Sequence, residues 1–111
     1  MALDLRAIRH QLILLARRKK CRKRGWPNHW RPTGVTNPAD GNPFTQDGAW
    51  EFIAELLENG IDFEHKILDE PEEGANAYVI EKSLGDRILY IKLQLGSGCV
   101  IGRSFHYSCY D

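Results

Sequence analysis

Near the start of the chain apolar residues fall at Leu5, Ile8, Leu12 and Leu15, while Arg6, Arg9 and Arg17 lie elsewhere around the helical wheel. Steps of three and four place the apolar positions in one stripe, the signature of an amphipathic helix. The pattern then runs into Arg17-Arg18-Lys19-Lys20-Cys21-Arg22-Lys23-Arg24, followed by Gly25 and Pro27, which stop helices. A basic amphipathic helix is therefore predicted over residues 1–24. Residues 25–44 hold Pro27, Pro32, Pro38 and Pro43 together with Trp26 and Trp30. They predict a long ordered loop, because two indoles find a surface to cover.

Thr45 is a good N-cap, Asp47 suits the positive end of a helix, and Ala49, Trp50, Ile53, Ala54, Leu56 and Leu57 supply an apolar face before Asn59-Gly60. A second helix is predicted over residues 45–60. After it the period falls to two. Ile61, Phe63, His65 and Ile67 alternate with polar neighbours, and Asp69-Glu70-Pro71-Glu72-Glu73-Gly74 turns the chain. Residues 75–81, 87–95 and 99–107 read as three further strands, so residues 61–108 form a four-stranded antiparallel meander. The expected fold class is α+β: a single domain, 1–111, with two helices packed on one face of that sheet.

In the third strand Leu89, Ile91, Leu93 and Leu95 share one face, which must be core, and Tyr90, Lys92 and Gln94 share the other. If Leu95 pairs with Cys99 across Gly96-Ser97-Gly98, Tyr90 lies opposite Ser104, Lys92 opposite Gly102 and Ile88 opposite His106. Tyr90, Lys92, Ser104 and His106 then share a face, with room above Gly102 for another molecule. The same register turns Arg103 toward the core, from which a bulge at Gly102 or a place near the sheet edge would release it.

Composition narrows the class. With 42% hydrophobic and 27% charged residues the 111-residue chain can build a core. Its longest apolar run is too short for a membrane span, and it shows no secretion signal, so a soluble cytoplasmic protein with no membrane partner is expected. Cys21, Cys99 and Cys109 are an odd number without a C-x-x-C pair and read as thiols. Neither they nor His29 and His106 have finger or ribbon spacing, and no metal or cofactor is expected.

The net charge of zero conceals a dipole along the chain: residues 1–35 sum to +9, residues 36–75 to −10 and the remainder to +1. Such segregation points to a polyanionic partner for the basic end or to pairing between the two ends. Arg17, Arg18, Lys19, Lys20, Arg22, Lys23 and Arg24 could attract phosphates, with Trp26, His29 and Trp30 stacking on unpaired bases. Alternatively the run pairs with Glu51, Glu55, Glu58 or the acidic turn.

A lysine, an arginine, a histidine and a tyrosine gathered on one sheet suit metal-free RNA cleavage, which needs a base for the 2′-OH, cations for the phosphorane and an acid for the leaving oxygen. Imidazole is the only side chain in that set whose ordinary pKa lies near neutrality, which makes His106 the candidate acid or base. Lys92 and Arg103 would hold the phosphate, and Tyr90 or Tyr107 would stack on a base or donate a proton.

The order of elements, with Arg87-Ile88-Leu89-Tyr90-Ile91-Lys92-Leu93 in one strand and Ile101-Gly102-Arg103-Ser104-Phe105-His106-Tyr107 in the last, resembles the small bacterial ribonuclease toxins of the RelE and MqsR group over about residues 45–107. The resemblance implies a compact α/β fold, cleavage of RNA without metal, and silencing by an antitoxin protein. Lys92, Arg103 and His106 occupy places like the family's functional ones. The proline-rich loop and the acidic middle segment depart from its pattern. Two other readings stay open: a non-catalytic nucleic-acid-binding or regulatory module, and a protein-interaction module in which the basic segment meets an acidic partner or a second copy of the chain.

Overall fold

A computed structural model describes residues 4–67, 76–96 and 98–108, with the backbone alone for residues 24–28. The elements are α1 (Leu5–Ala16), β1 (Arg22–Trp30), α2 (Gln46–Glu58), β2 (Glu64–Ile67), β3 (Asn76–Leu84), β4 (Arg87–Gly96) and β5 (Cys99–Tyr107). The fold is α+β, with two helices and a mixed sheet in the order β1-β5-β4-β3-β2. Strands β2 to β5 pair antiparallel, and β1 pairs parallel to β5. Among the described residues the sheet thus has five strands, one more than the meander alone supplies.

The first helix is shorter than its expected span of residues 1–24. The Asp4 carboxylate accepts from the N–H groups of Arg6 and Ala7, and Ile8, Leu12, Leu15 and Ala16 are buried. Beyond Ala16 the like charges of the basic run disfavour another turn. Arg22 instead folds back, its Nε donating to the Ala16 carbonyl at 2.7 Å, which satisfies one orphan acceptor of the helix end. A short 3-10 turn at Lys19–Cys21 leads into β1.

Strand β1 occupies part of the segment expected to be loop. Arg24 is paired with Gly102 and His29 with Ser104, so residues 25–28 bulge over the single residue Arg103. Pro27 falls inside this bulge, on an edge strand, where the missing N–H breaks no ladder. The remainder of the segment does run as an ordered connection: Val35 and Phe44 are buried, and the Phe44 N–H donates to the Val35 carbonyl at 3.0 Å.

Helix α2 begins at Thr45, whose hydroxyl accepts from the Gly48 N–H at 2.9 Å, and closes before Gly60 at φ +89°. Its last turn is held by Arg9, which donates to the Leu57 carbonyl at 2.9 Å. Ile8, Leu12, Ile53 and Leu57 join Tyr78, Ile80, Leu89, Ile91, Leu93, Val100 and Phe105 in one core, so both helices cover the same face of the sheet. The acidic turn at residues 69–74 lies outside the described residues.

The β4–β5 register differs from the expected one in two compensating ways. Gly96 and not Leu95 pairs with Cys99, which shifts the ladder by one residue. Between Gly102, paired with Leu93, and Ser104, paired with Lys92, Arg103 is an extra residue. This β-bulge adds a second shift, and two shifts restore the original alternation. Tyr90 consequently pairs with His106, not Ser104, and Lys92 with Ser104, not Gly102.

Candidate functional site

The face of the sheet away from the helices carries the cluster. Lys92 and Ser104 form one cross-strand pair, Tyr90 and His106 the next, and His29 continues the first row from β1, where it is paired with Ser104. Glu81 of β3 is paired with Tyr90. Ser104 is 5% exposed and Arg103 7%, while Tyr90, Lys92 and His106 are half-buried and His29 is exposed.

The rings touch in sequence. Tyr90 stacks on His106 with centroids 5.6 Å apart at 29°, and His29 meets His106 edge-on at 6.3 Å and 69°. His106 Nδ1 donates to the Tyr107 backbone carbonyl at 2.8 Å. A carbonyl can only accept, so this bond fixes the tautomer and leaves Nε2 of the neutral ring without a proton.

The Lys92 pKa is lowered, first by burial and then by the nearby positive charges of Arg103 and Lys66. Among the described residues no carboxylate pairs with Lys92 or Arg103. Two clustered cations, one buried and one half-buried, are costly unless an anion completes the site. The bulge explains how Arg103 reaches that face, because an extra residue breaks the strict alternation that would have sent it into the core.

Other expected site residues are placed elsewhere. Tyr107 is paired with Leu89 and therefore points to the helix-covered side, away from Lys92 and His106. Its hydroxyl accepts from the Thr36 N–H at 3.1 Å, and the Arg87 guanidinium lies 3.8 Å over its ring. It lines a separate cleft of about 450 Å³ with Phe52 and Leu84. Gly102 is not beside the lysine. It sits on the core side, where Trp30 fills the space a side chain would take.

Among the described residues the basic run divides into members that form ion pairs and members that do not. Arg17 pairs with Glu58, and Lys19 and Arg22 both pair with Asp47, at 3.2 and 2.8 Å. Arg22 is structural, its side chain only 7% exposed. Arg18, Lys20 and Lys23 are exposed and form no ion pair among the described residues. Trp30, expected to stack on bases, is instead 3% exposed, stacked on Trp50 at 4.6 Å, with its Nε1 donating to Gln46 at 2.7 Å. The side chains of Arg24 and Trp26 lie outside the described residues. So does Cys109.

Sequence reasoning grouped His29 with Trp26 and Trp30 as a base-stacking residue and missed its membership of this cluster. Its setting between Pro27 and Pro32 reads locally as loop, and only the parallel ladder to β5 brings it beside Ser104 and His106. Among the described residues no three His, Cys, Asp or Glu side chains converge as metal ligands would. No helix there is long and apolar enough to cross a membrane. No family model, curated protein or solved structure matches the chain.

Proposed function

We propose that the chain is a metal-independent endoribonuclease of the toxin kind, acting on RNA through attack of the 2′-OH and held in check by an antitoxin protein. One observation carries the reading: Lys92 and Arg103 lie together, without a carboxylate partner among the described residues, next to a histidine whose Nε2 is free to take a proton. Lys92 and Arg103 grip the scissile phosphate, and the charge that builds on its oxygens in the transition state strengthens that grip. His106 transfers the proton. Tyr90, stacked on His106, offers an aromatic surface to a neighbouring base.

Total RNA incubated in EDTA with the purified protein, wild type beside His106→Ala, tests this. Cleavage that leaves a 2′,3′-cyclic phosphate is expected from the wild type. His106→Ala should lower the rate by roughly 10²–10⁴-fold while RNA affinity stays nearly intact, as loss of a proton-transfer group requires. Should a folded wild-type protein, freed of any antitoxin, bind RNA without cutting it, the binding-module reading takes over, carried by the exposed Arg18, Lys20 and Lys23.

A further inference from the structure

We infer that His29 is the second proton-transfer group of this site, the general acid to His106 as general base. The inference rests on the ribonuclease reading and adds to it a catalytic residue and a division of labour. Three observations converge. The four-residue bulge in β1 re-enters the ladder at His29, which places that side chain in the row of Ser104 and Lys92. The two imidazole centroids are 6.3 Å apart and edge-on, close enough for both rings to reach oxygens of one phosphodiester. Their environments differ, which separates their roles: His106 is half-buried and tied through Nδ1 to a backbone carbonyl, whereas His29 is exposed at the outer strand.

Neutral His106 takes the 2′-OH proton on Nε2 as the 2′-oxygen forms its bond to phosphorus. The bond from phosphorus to the 5′-oxygen breaks, and imidazolium His29 gives its proton to that departing oxygen. The products are a 2′,3′-cyclic phosphate and a 5′-hydroxyl, and solvent exchange returns one proton to His29 and removes one from His106. Groups that face the pair are Ser104 and Arg103 on β5, Tyr90 and Lys92 on β4, Glu81 on β3 and Lys66 on β2. The carbonyl tie holds His106 in the tautomer that accepts at Nε2, and a bound phosphate sets negative charge beside the proton that His29 must carry.

Leaving-group chemistry separates the two roles. Sulfur in place of the scissile 5′-oxygen departs as a thiolate and needs no proton, so it bypasses the acid alone. The substrates are an RNA oligonucleotide spanning a cleavage site mapped in total RNA, and the same oligonucleotide with sulfur bridging at that 5′ position. His29→Ala should cut the ordinary RNA about 10²–10⁴-fold more slowly than wild type and the sulfur-bridged RNA at nearly the wild-type rate. His106→Ala should be slow on both. His29→Gln, which keeps a polar side chain of similar reach, should behave as His29→Ala does. A wild type that cuts no RNA overturns the ribonuclease reading and this inference together. A wild type that cuts RNA while His29→Ala is unimpaired, or equally impaired on both substrates, overturns the inference alone.

Discussion

Gly102 and Trp30 divide one space on the helix-covered face: a Cβ on Gly102 would lie 2.6 Å from Cε3 of the Trp30 ring. That ring is wedged between Trp50 and Phe105, so it cannot retreat without disturbing the centre of the core. Gly102→Ala should therefore destabilise the protein by about 1–3 kcal/mol, the usual cost of overpacking. Thermal unfolding followed by tryptophan fluorescence would register it, and an unchanged midpoint would mean that β1 is not seated on β5 as described.

On the proposed reading, the basic run should act through the members that form no ion pair among the described residues. Replacing Arg18, Lys20 and Lys23 with Ser should flatten the dependence of log RNA affinity on log salt by about 2, at roughly 0.7 for each single-strand phosphate that one of these cations neutralises. Arg22→Ser should change that slope little and instead lower stability by about 1–3 kcal/mol, since it removes the bonds to Ala16 and Asp47 from a mostly buried group. Salt titrations of binding beside denaturant unfolding separate these effects. A slope untouched by the triple replacement would assign the run to a protein partner.

Tyr107 and Tyr90 offer a test of which face does the work. Tyr107→Phe removes the acceptor for the Thr36 N–H and should cost about 1 kcal/mol of stability with RNA cleavage unchanged. Tyr90→Ala removes the ring stacked on His106 and should lower cleavage. The reverse pattern would move the site to the cleft beside Tyr107.

How far these placements were legible in the sequence depends on whether the deciding interaction is local. Thr45 and Asn59-Gly60 bracket α2 by hydrogen bonds made within a few residues, and the β4 alternation shows in the chain itself, so both were readable. The face of Tyr107 was readable too, because it follows His106 and alternation sends neighbours to opposite sides. Strand β1 was not. Gly25 and Pro27 are loop signals in any local reading, and only the distant β5 can make a strand around them by absorbing residues 25–28 in a bulge. Two consequences followed together: Trp30 entered the core, and His29 joined the polar face. The Lys92 face was anticipated although the register was not, because the slip at the turn and the bulge at Arg103 cancel in parity.

Lys92 should show function and stability in opposition. Burial and the charges of Arg103 and Lys66 lower its pKa from the ordinary 10.5, so the fold disfavours its charged form. Below the folded pKa the lysine is charged in both folded and unfolded states, and the cost to stability is fully present. As pH rises through the folded pKa toward 10.5 the folded protein sheds the proton first, and the cost is relieved. Lys92→Met keeps the length of the side chain and removes the charge. At neutral pH it should raise the melting temperature, and its advantage over wild type should shrink as pH climbs into the lysine range. If the proposed ribonuclease reading holds, cleavage should fall by about 10²-fold or more, because that reading assigns the Lys92 cation to the transition-state oxygens. Melting curves across pH, read beside cleavage rates at neutral pH, check both halves. If Lys92→Met instead melts lower at neutral pH, the ammonium has a stabilising partner in the folded protein and is not waiting for a phosphate.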